Sequence, residues 1–361
     1  MRILLIHNYY QYRGGEETYV ESLKKLLEDN GHKVYLYSKH SNDIRSLIDK
    51  IQVAFGLFWN IKTANELTDI INTFKPDVAH FNNIYPLIGA TAYRVCKRNN
   101  IKIVQTIHNY RFMCPKGILF RNGKICELCI NKQFFYPAIR FGCYRNSRFA
   151  SFIYSLAFFI HKIIGSFSII NIFIFPSKFT QQYYEKHFRV PKSKSIYLPP
   201  FVDFKPTNIK VKRENWFLYV GRLSEEKGIL PLLEAFTMLP NYKIVIIGEG
   251  QLKKQVSVYK KYKNIRVLGH IQRKKLISFY QKTRALIVPS LWYEIGPLVD
   301  FESSIFNTPI IRIPLKLCQN SNFVGELSNY IQRVNIRPRS SLSDIKSNSP
   351  FNYHKKLISH Y

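Results

Sequence analysis

The sequence predicts an α/β fold of two domains, each a parallel sheet with helices on both faces. Short β-rich runs alternate with helical patterns, and parallel strands need helical crossovers. The alternation occurs twice, on either side of Pro199-Pro200 and a polar, Lys-rich stretch over 205–214. A chain of 361 residues, 46% of them apolar, is long enough for two cores and too apolar for disorder.

In the first series the strands fall at 2–7, 33–38, 77–81, 102–107, 172–175 and 195–198. The first helix places Val20, Leu23, Leu26 and Leu27 on one face and stops near Asn30-Gly31. Residues 149–175 are strongly apolar and long enough to raise a membrane span. His161-Lys162 in mid-run and Gly165-Ser166 before β-branched residues suggest instead a helix followed by a core strand. Such a helix either packs ordinarily or lays an aromatic face on a membrane surface. The linker falls at 199–214. The second series has strands at 216–220, 242–247, 265–268, 285–288 and 309–313. The expected domains are 1–200, with a Cys-containing insertion at 110–145, and 201–335. The tail 336–361 should be poorly ordered, since 338–350 carries five serines and two prolines with little periodicity.

The most specific stretch runs from Pro289 to Glu302. Glu294 and Glu302 stand eight positions apart, across Gly296-Pro297 and into an apolar helix. Pro297 has the fixed φ of a first helical position. Glu294 then lies in the preceding loop and Glu302 about one and a half turns inside. The amides of Leu298 and Val299 point at the same space, as at helix N-terminal anion sites. Carboxylates for hydroxyls and amides for phosphates suit a nucleotide sugar. Upstream, Gly221 ends a strand, Arg222 and Lys227 flank a polar turn, and Gly228 opens a helix, which makes a pyrophosphate clamp. Gly248-Glu249-Gly250 borders a base or simply turns tightly. Gly14-Gly15 follows the first strand, where glycine permits close approach and positive φ. His108-Asn109 follows the strand ending at Ile107, at the sheet end where ligands bind.

Through Gly14-Gly15-Glu16-Glu17, His108-Asn109, Gly221 to Gly228 and the Glu294/Glu302 pair, residues 1 to about 313 resemble the family 4 retaining glycosyltransferases. The resemblance implies the GT-B fold, two Rossmann-like domains facing across a cleft, the first on the acceptor side and the second binding the donor. It implies that Gly14, Gly15, Arg222, Lys227, Gly296, Pro297, Leu298 and Glu302 hold the donor, with Glu302 on the ribose. His108 and Glu294 then serve the catalytic step, His108 by hydrogen-bonding the sugar and Glu294 by orienting it. A donor phosphate oxygen, rather than His108, takes the acceptor's proton. Asp-x-Asp is absent from the sequence, and the cations Arg222 and Lys227 stand in for a divalent metal, so no catalytic metal is expected. After Ile311 the chain departs from the family, and its C-terminal elements read as atypical or missing.

Fifty-four basic residues against 23 acidic give a net charge of +31. Such a field favours an anionic membrane face or a phosphorylated acceptor, or reflects compositional drift. No nucleic-acid motif accompanies it, so nucleic acid is not an expected partner. No secretory signal is recognisable, so the cytoplasm is expected, and the charge with the aromatic, Arg-flanked stretch 140–163 leads to the expectation of a peripheral place on the inner face of the cell membrane. Of six cysteines, Cys114, Cys126, Cys129 and Cys143 cluster in sequence; they hold a structural zinc or remain thiols. The expected function is hexosyl transfer from a nucleotide sugar to a glycan or lipid-linked acceptor hydroxyl, with retention, in bacterial surface glycan assembly. A binding relative impaired by C-terminal decay, and a phosphorylase or epimerase on the same fold, are the competing readings.

Overall fold

A computed structural model describes residues 1–11, 14–202, 211–317, 322–334 and 349–361. The chain forms two compact units: 1–119 with 127–200 and 350–361, and 120–126 with 201–349.

The first unit is built on β1 (Arg2–Tyr9), β2 (Lys33–His40), β3 (Val78–Phe81), β4 (Lys102–Thr106), β7 (Ile172–Phe175) and β8 (Ser195–Tyr197). All pair in parallel in the order β2-β1-β3-β4-β7-β8. β1 carries four successive apolar residues, Ile3 to Ile6, all fully buried, because a central parallel strand is covered on both faces. The crossovers are α1 (Gly15–Asp29), α2 (Leu47–Gly56), α3 (Ile61–Phe74), α4 (Thr91–Arg98), α5 (Tyr136–Arg140), α6 (Arg148–Ile163) and α7 (Lys178–His187). α1 buries the expected stripe of Val20, Leu23, Leu26 and Leu27, and its end turns through Gly31 at φ 81. The apolar run 149–175 divides into α6 and β7. Among the described residues no helix is long and apolar enough to cross a membrane.

The second unit holds β9 (Trp216–Val220), β10 (Lys243–Ile247), β11 (Ile265–Gly269), β12 (Ala285–Val288) and β13 (Ile310–Arg312), parallel in the order β11-β10-β9-β12-β13. Its helices are α8 (Ile229–Thr237), α9 (Lys253–Ser257), α10 (Arg273–Lys282), α11 (Leu298–Ile305) and α12 (Phe323–Arg333). One face of the sheet packs Phe217, Ile246 and Ile287 with Leu232, Leu233 and Phe236 of α8 and Leu327 and Ile331 of α12. The other packs Leu218, Leu286 and Val288 with Leu276 and Tyr280 of α10 and Phe306.

Two expectations are corrected. The insertion does contain a hairpin, β5 (Phe120–Arg121) with β6 (Lys124–Ile125), turning through Asn122 and Gly123 at positive φ, but it belongs to the second unit while its flanks belong to the first. The tail is also not uniformly irregular. Residues 335–348 lie outside the described residues, yet α13 (Pro350–Ile358) is a helix of the first unit with Tyr353 and Leu357 buried. Two apolar anchors four residues apart give it a face to bury, so a C-terminal helix is present on the first unit.

Candidate functional site

In the second unit β10 and β12 flank β9 on opposite sides. That reversal of strand order makes the carboxyl ends of β9 and β12 the place where an open α/β sheet binds ligands. The loops leaving β9, β10 and β12 press on one another there. Gly228 sits at φ 68, and a Cβ on it would fall 2.0 Å from the carbonyl oxygen of Pro289. A Cβ on Gly248 would fall 1.8 Å from the Gly221 oxygen, and one on Gly250 2.4 Å from the Leu223 oxygen. Gly248-Glu249-Gly250 is thus a close-packed turn. The Leu291 amide donates to the Glu226 carbonyl at 2.9 Å, tying the β12 loop to the β9 loop.

These loops carry the cations. Lys227 Nζ lies 2.6 Å from Glu294 Oε1, and 5.2 Å from the centre of the Trp292 ring. The Ser290 hydroxyl donates to the same Glu294 oxygen. Burial alone would raise the Glu294 carboxyl; the Lys227 charge and hydrogen bond, with Ser290, hold it below its ordinary value. Arg222 Nη2 donates to Glu226 Oε1 at 2.9 Å, and Ser224 Oγ to the same oxygen at 2.6 Å. Burial would raise Glu226 too, but Arg222 and Ser224 bring it below the usual range. Each expected phosphate-binding cation is therefore held in place by a carboxylate.

Glu302 is treated differently. It is buried on the fifth residue of α11, with Oε2 accepting from the Tyr280 hydroxyl at 2.7 Å and Oε1 3.3 Å from Arg273 Nη2. Burial outweighs Arg273 and Tyr280, and the carboxyl rises above its ordinary value. α11 begins at Leu298, one residue later than expected, because Pro297 has ψ 124 and serves as the N-cap, not the first helical residue. The amides of Leu298 and Val299 then have no intrahelical acceptor. Gly296 lies in the loop between Glu294 and this helix start. Sequence reasoning missed Tyr280, Arg273 and Ser290. Arg273 and Tyr280 stand seven apart on α10, a same-face spacing that was legible.

The first unit places its expected residues at the carboxyl ends of β1, β3 and β4, where strand order also reverses. His108 Nε2 lies 2.9 Å from Asn82 Oδ1, so the ring donates there and keeps Nδ1 as an acceptor. Burial, then the neighbouring His7 and His80, hold His108 well below its ordinary pKa, so it is neutral at neutral pH. Asn82, Asn83, Gln105, Thr106, His108 and Arg111 line one cavity. Asn82 Nδ2 and His7 Nε2 are buried without a hydrogen-bond partner among the described residues. Behind His108 stands a polar chain that sequence reasoning missed. Tyr19 packs edge-on to the His108 ring at 5.0 Å and shares a 2.5 Å contact with the Tyr353 hydroxyl. His80 bonds Thr106 Oγ1 at 2.7 Å and, through Nδ1, the Tyr361 hydroxyl. Tyr353 and Tyr361 come from the far end of the chain, so no local pattern pointed to them.

Gly14 and Gly15 open α1 as expected, but Gly14 has extended φ −137 and no need of left-handed freedom. Its amide donates to Glu17 Oε2 at 2.7 Å, and Glu17 Oε1 accepts from the Tyr10 amide at 3.2 Å, so a buried carboxylate staples the loop. Tyr12 and Arg13 lie outside the described residues. The zinc expectation is corrected: Cys114, Cys126, Cys129 and Cys143 do not converge, and no group of three His, Cys, Asp or Glu among the described residues could hold a metal ion. The reason is local. Cys114 closes a turn on Tyr110, while Cys126 leaves with the hairpin in the other unit.

Two parallel α/β units, the second with a cation-and-carboxylate site at its switch point, fit the architecture of GT-B glycosyltransferases. Residues 13–205, more than half of the chain, match the family described as Glycosyltransferase Family 4, and residues 202–318 match Glycosyl transferases group 1. The chain belongs to glycosyltransferase family 4. It is 22% identical over 331 residues, 81% of this chain and 80% of the relative, to an uncharacterized 42.6 kDa protein in the cps region of Klebsiella pneumoniae. Over 133 residues, 34% of this chain and 35% of the relative, it is 32% identical to an α-1,4-N-acetyl-D-galactosaminyltransferase of Campylobacter jejuni acting on a diNAcBac-PP-undecaprenol-linked glycan. Among solved structures it resembles Anabaena Alr3699/HepE in complex with UDP and glucose, with TM-score 0.62, 12% identity, and 100% and 99% of the two chains covered. It also resembles the G117R mutant of S. aureus TarM in complex with Fondaparinux, α-GlcNAc-glycerol and UDP, with TM-score 0.58, 10% identity and 99% of each chain covered.

Proposed function

We propose that this glycosyltransferase moves a hexose from a nucleotide sugar to a hydroxyl of a glycan or lipid-linked acceptor, with retention at the anomeric carbon, in bacterial surface polysaccharide or lipid-linked glycan synthesis. The observation that carries the reading is the β9–β12 switch point, where Lys227 and Arg222 sit on the same loop cluster as the open amides of Leu298 and Val299 and the buried carboxylate of Glu302. Arg222 and Lys227 take the donor diphosphate. Their stabilisation grows as the leaving group gains charge, so it lowers the barrier rather than only tightening binding. Glu302 accepts from the ribose hydroxyls and Glu294 orients the sugar. Neutral His108 hydrogen-bonds the sugar, and Gly14-Gly15 close over it; a donor phosphate oxygen receives the acceptor's proton. The cations supply the countercharge that a divalent metal supplies elsewhere. The acceptor class leans on the Campylobacter relative's lipid-linked substrate and the Klebsiella relative's cps region. The setting is the cytoplasm, at the inner face of the membrane.

A thermal-shift panel of UDP-, GDP- and ADP-sugars tests the donor, because a ligand that binds only the folded state raises its stability. One nucleotide class should shift the transition. In Arg222→Ala, loss of a hydrogen bond to a charged phosphate should weaken that ligand by about 1.5–3 kcal/mol with the fold retained. No shift with any donor, or an unchanged affinity in the variant, would refute the assignment.

A further inference from the structure

The first unit carries an apolar surface that its core does not use. α2 exposes Leu47, Ile48, Ile51 and Phe55, with Phe55 71% accessible. Ile48, Ile51 and Phe55 follow helical spacing, so one stripe of a ten-residue helix faces outward. An ordinary surface helix does the reverse. α6 does the same with Phe149, Phe152 and Ile163, the first 73% accessible. The two helices meet at their C-terminal ends. His161 of α6 lies 2.9 Å, through Nε2, from the carbonyl oxygen of Leu57, just beyond α2. Phe55 thus ends one strip and Ile163-Ile164 the other.

The charge around the α6 strip has one sign. From Leu128 to Tyr184 there is no Asp or Glu, while Lys132, Arg140, Arg145, Arg148, Lys162 and Lys178 are all present. On α2, Asp49 caps the helix, accepting from the amides of Arg45 and Ser46, and Lys50 is exposed. A second copy of the chain would bring the same positive field, +31 per copy. An anionic bilayer complements both features, with hydrocarbon for the aromatic and aliphatic side chains and headgroup charge for the Lys and Arg.

We infer that α2 and α6 together form a docking surface that seats the first unit in the interface of an anionic membrane, α2 inserting Ile48, Ile51 and Phe55. The inference rests on the membrane setting proposed above, and α2 and α6 carry none of the residues assigned to the donor.

Sedimentation of the full chain with phosphatidylcholine vesicles, with and without phosphatidylglycerol, tests it. Wild type should bind the anionic vesicles and scarcely the neutral ones. Ile48→Ser, Ile51→Ser and Phe55→Ser combined should weaken binding, roughly tenfold for each large side chain removed, with circular dichroism and melting unchanged because the stripe is exposed. Phe149→Ser with Phe152→Ser should weaken it independently. Donor affinity, measured in the same variants, should not move, so a failure of the donor reading shows separately. Equal vesicle binding by wild type and the α2 variant would overturn the inference, as would no binding by wild type. So would a wild-type dimer in light scattering that the α2 substitutions dissolve, which would give the surface to a second copy.

Discussion

Replacing Lys227 with Met removes the ionic partner of the Glu294 carboxylate and leaves it the side chains of Ser290 and Trp292. The two side chains are 20% and 13% exposed, between the surface regime, where a pair is worth at most about 1 kcal/mol, and the buried one, where losing one partner costs about 3–5 kcal/mol. A destabilisation of about 2–3 kcal/mol follows for Lys227→Met. Glu294→Gln should cost less, about 1–2 kcal/mol, because Lys227 keeps the Trp292 ring and a path to water. The double variant buries a neutral pair and should cost little more than Lys227→Met alone, giving a coupling energy of about 1–1.5 kcal/mol in the four-protein cycle. Glu294 titrates lower when folded than when unfolded, so its contribution is present above the unfolded carboxyl range and lost as pH falls through the folded value. The cycle therefore belongs at pH 7. Urea unfolding followed by tryptophan fluorescence in a Trp59→Phe background reports the second unit, since Trp216 and Trp292 are the other tryptophans. Donor affinity should stay low in all three variants. A coupling below about 0.5 kcal/mol would refute the view that Glu294 preorganises Lys227 for an anion.

Glu302→Gln should separate stability from binding. The Glu302 carboxyl is raised in the folded state, so its favourable contribution is full below the unfolded carboxyl range and is lost as pH rises through the raised value. At neutral pH the variant should melt above wild type, and the gap should close on acidification; scanning fluorimetry from pH 5 to 8 checks this, and a gap that widens toward acid pH contradicts it. The same change should weaken the donor by about 1.5–3 kcal/mol if the carboxylate holds the ribose. Tyr353→Phe and Tyr361→Phe each strip a hydroxyl from a buried partner, Tyr19 or His80, and should destabilise the first unit by about 1–3 kcal/mol. Turnover should fall with little change in donor affinity. Variants as stable and as active as wild type would show that the C-terminal segment 350–361 does not support the polar chain behind His108.

The sequence alone determined what local periodicity and local chemistry carry. Ile3 to Ile6 and Ala285 to Val288 read as buried parallel strands because no polar residue interrupts them. The stripe of α1 read as a core face because 3.6-residue spacing leaves no other use for it. Arg222, Lys227, Glu294 and Glu302 were legible because a glycine-bounded strand end and a proline at a helix start announce where backbone amides open. Only the tertiary structure decided which charges meet. Sixty-seven positions separate Lys227 from Glu294, 22 separate Tyr280 from Glu302, and 281 separate His80 from Tyr361. No period spans such distances; the sheet order does, by bringing the ends of non-consecutive strands together. The same holds for the errors. Four cysteines close in sequence left a metal site or free thiols open, and only the fold shows that no group of three metal-ligating side chains among the described residues could hold an ion. A Ser-rich tail predicted disorder, but Tyr353 and Leu357 found a buried place that only the folded first unit provides.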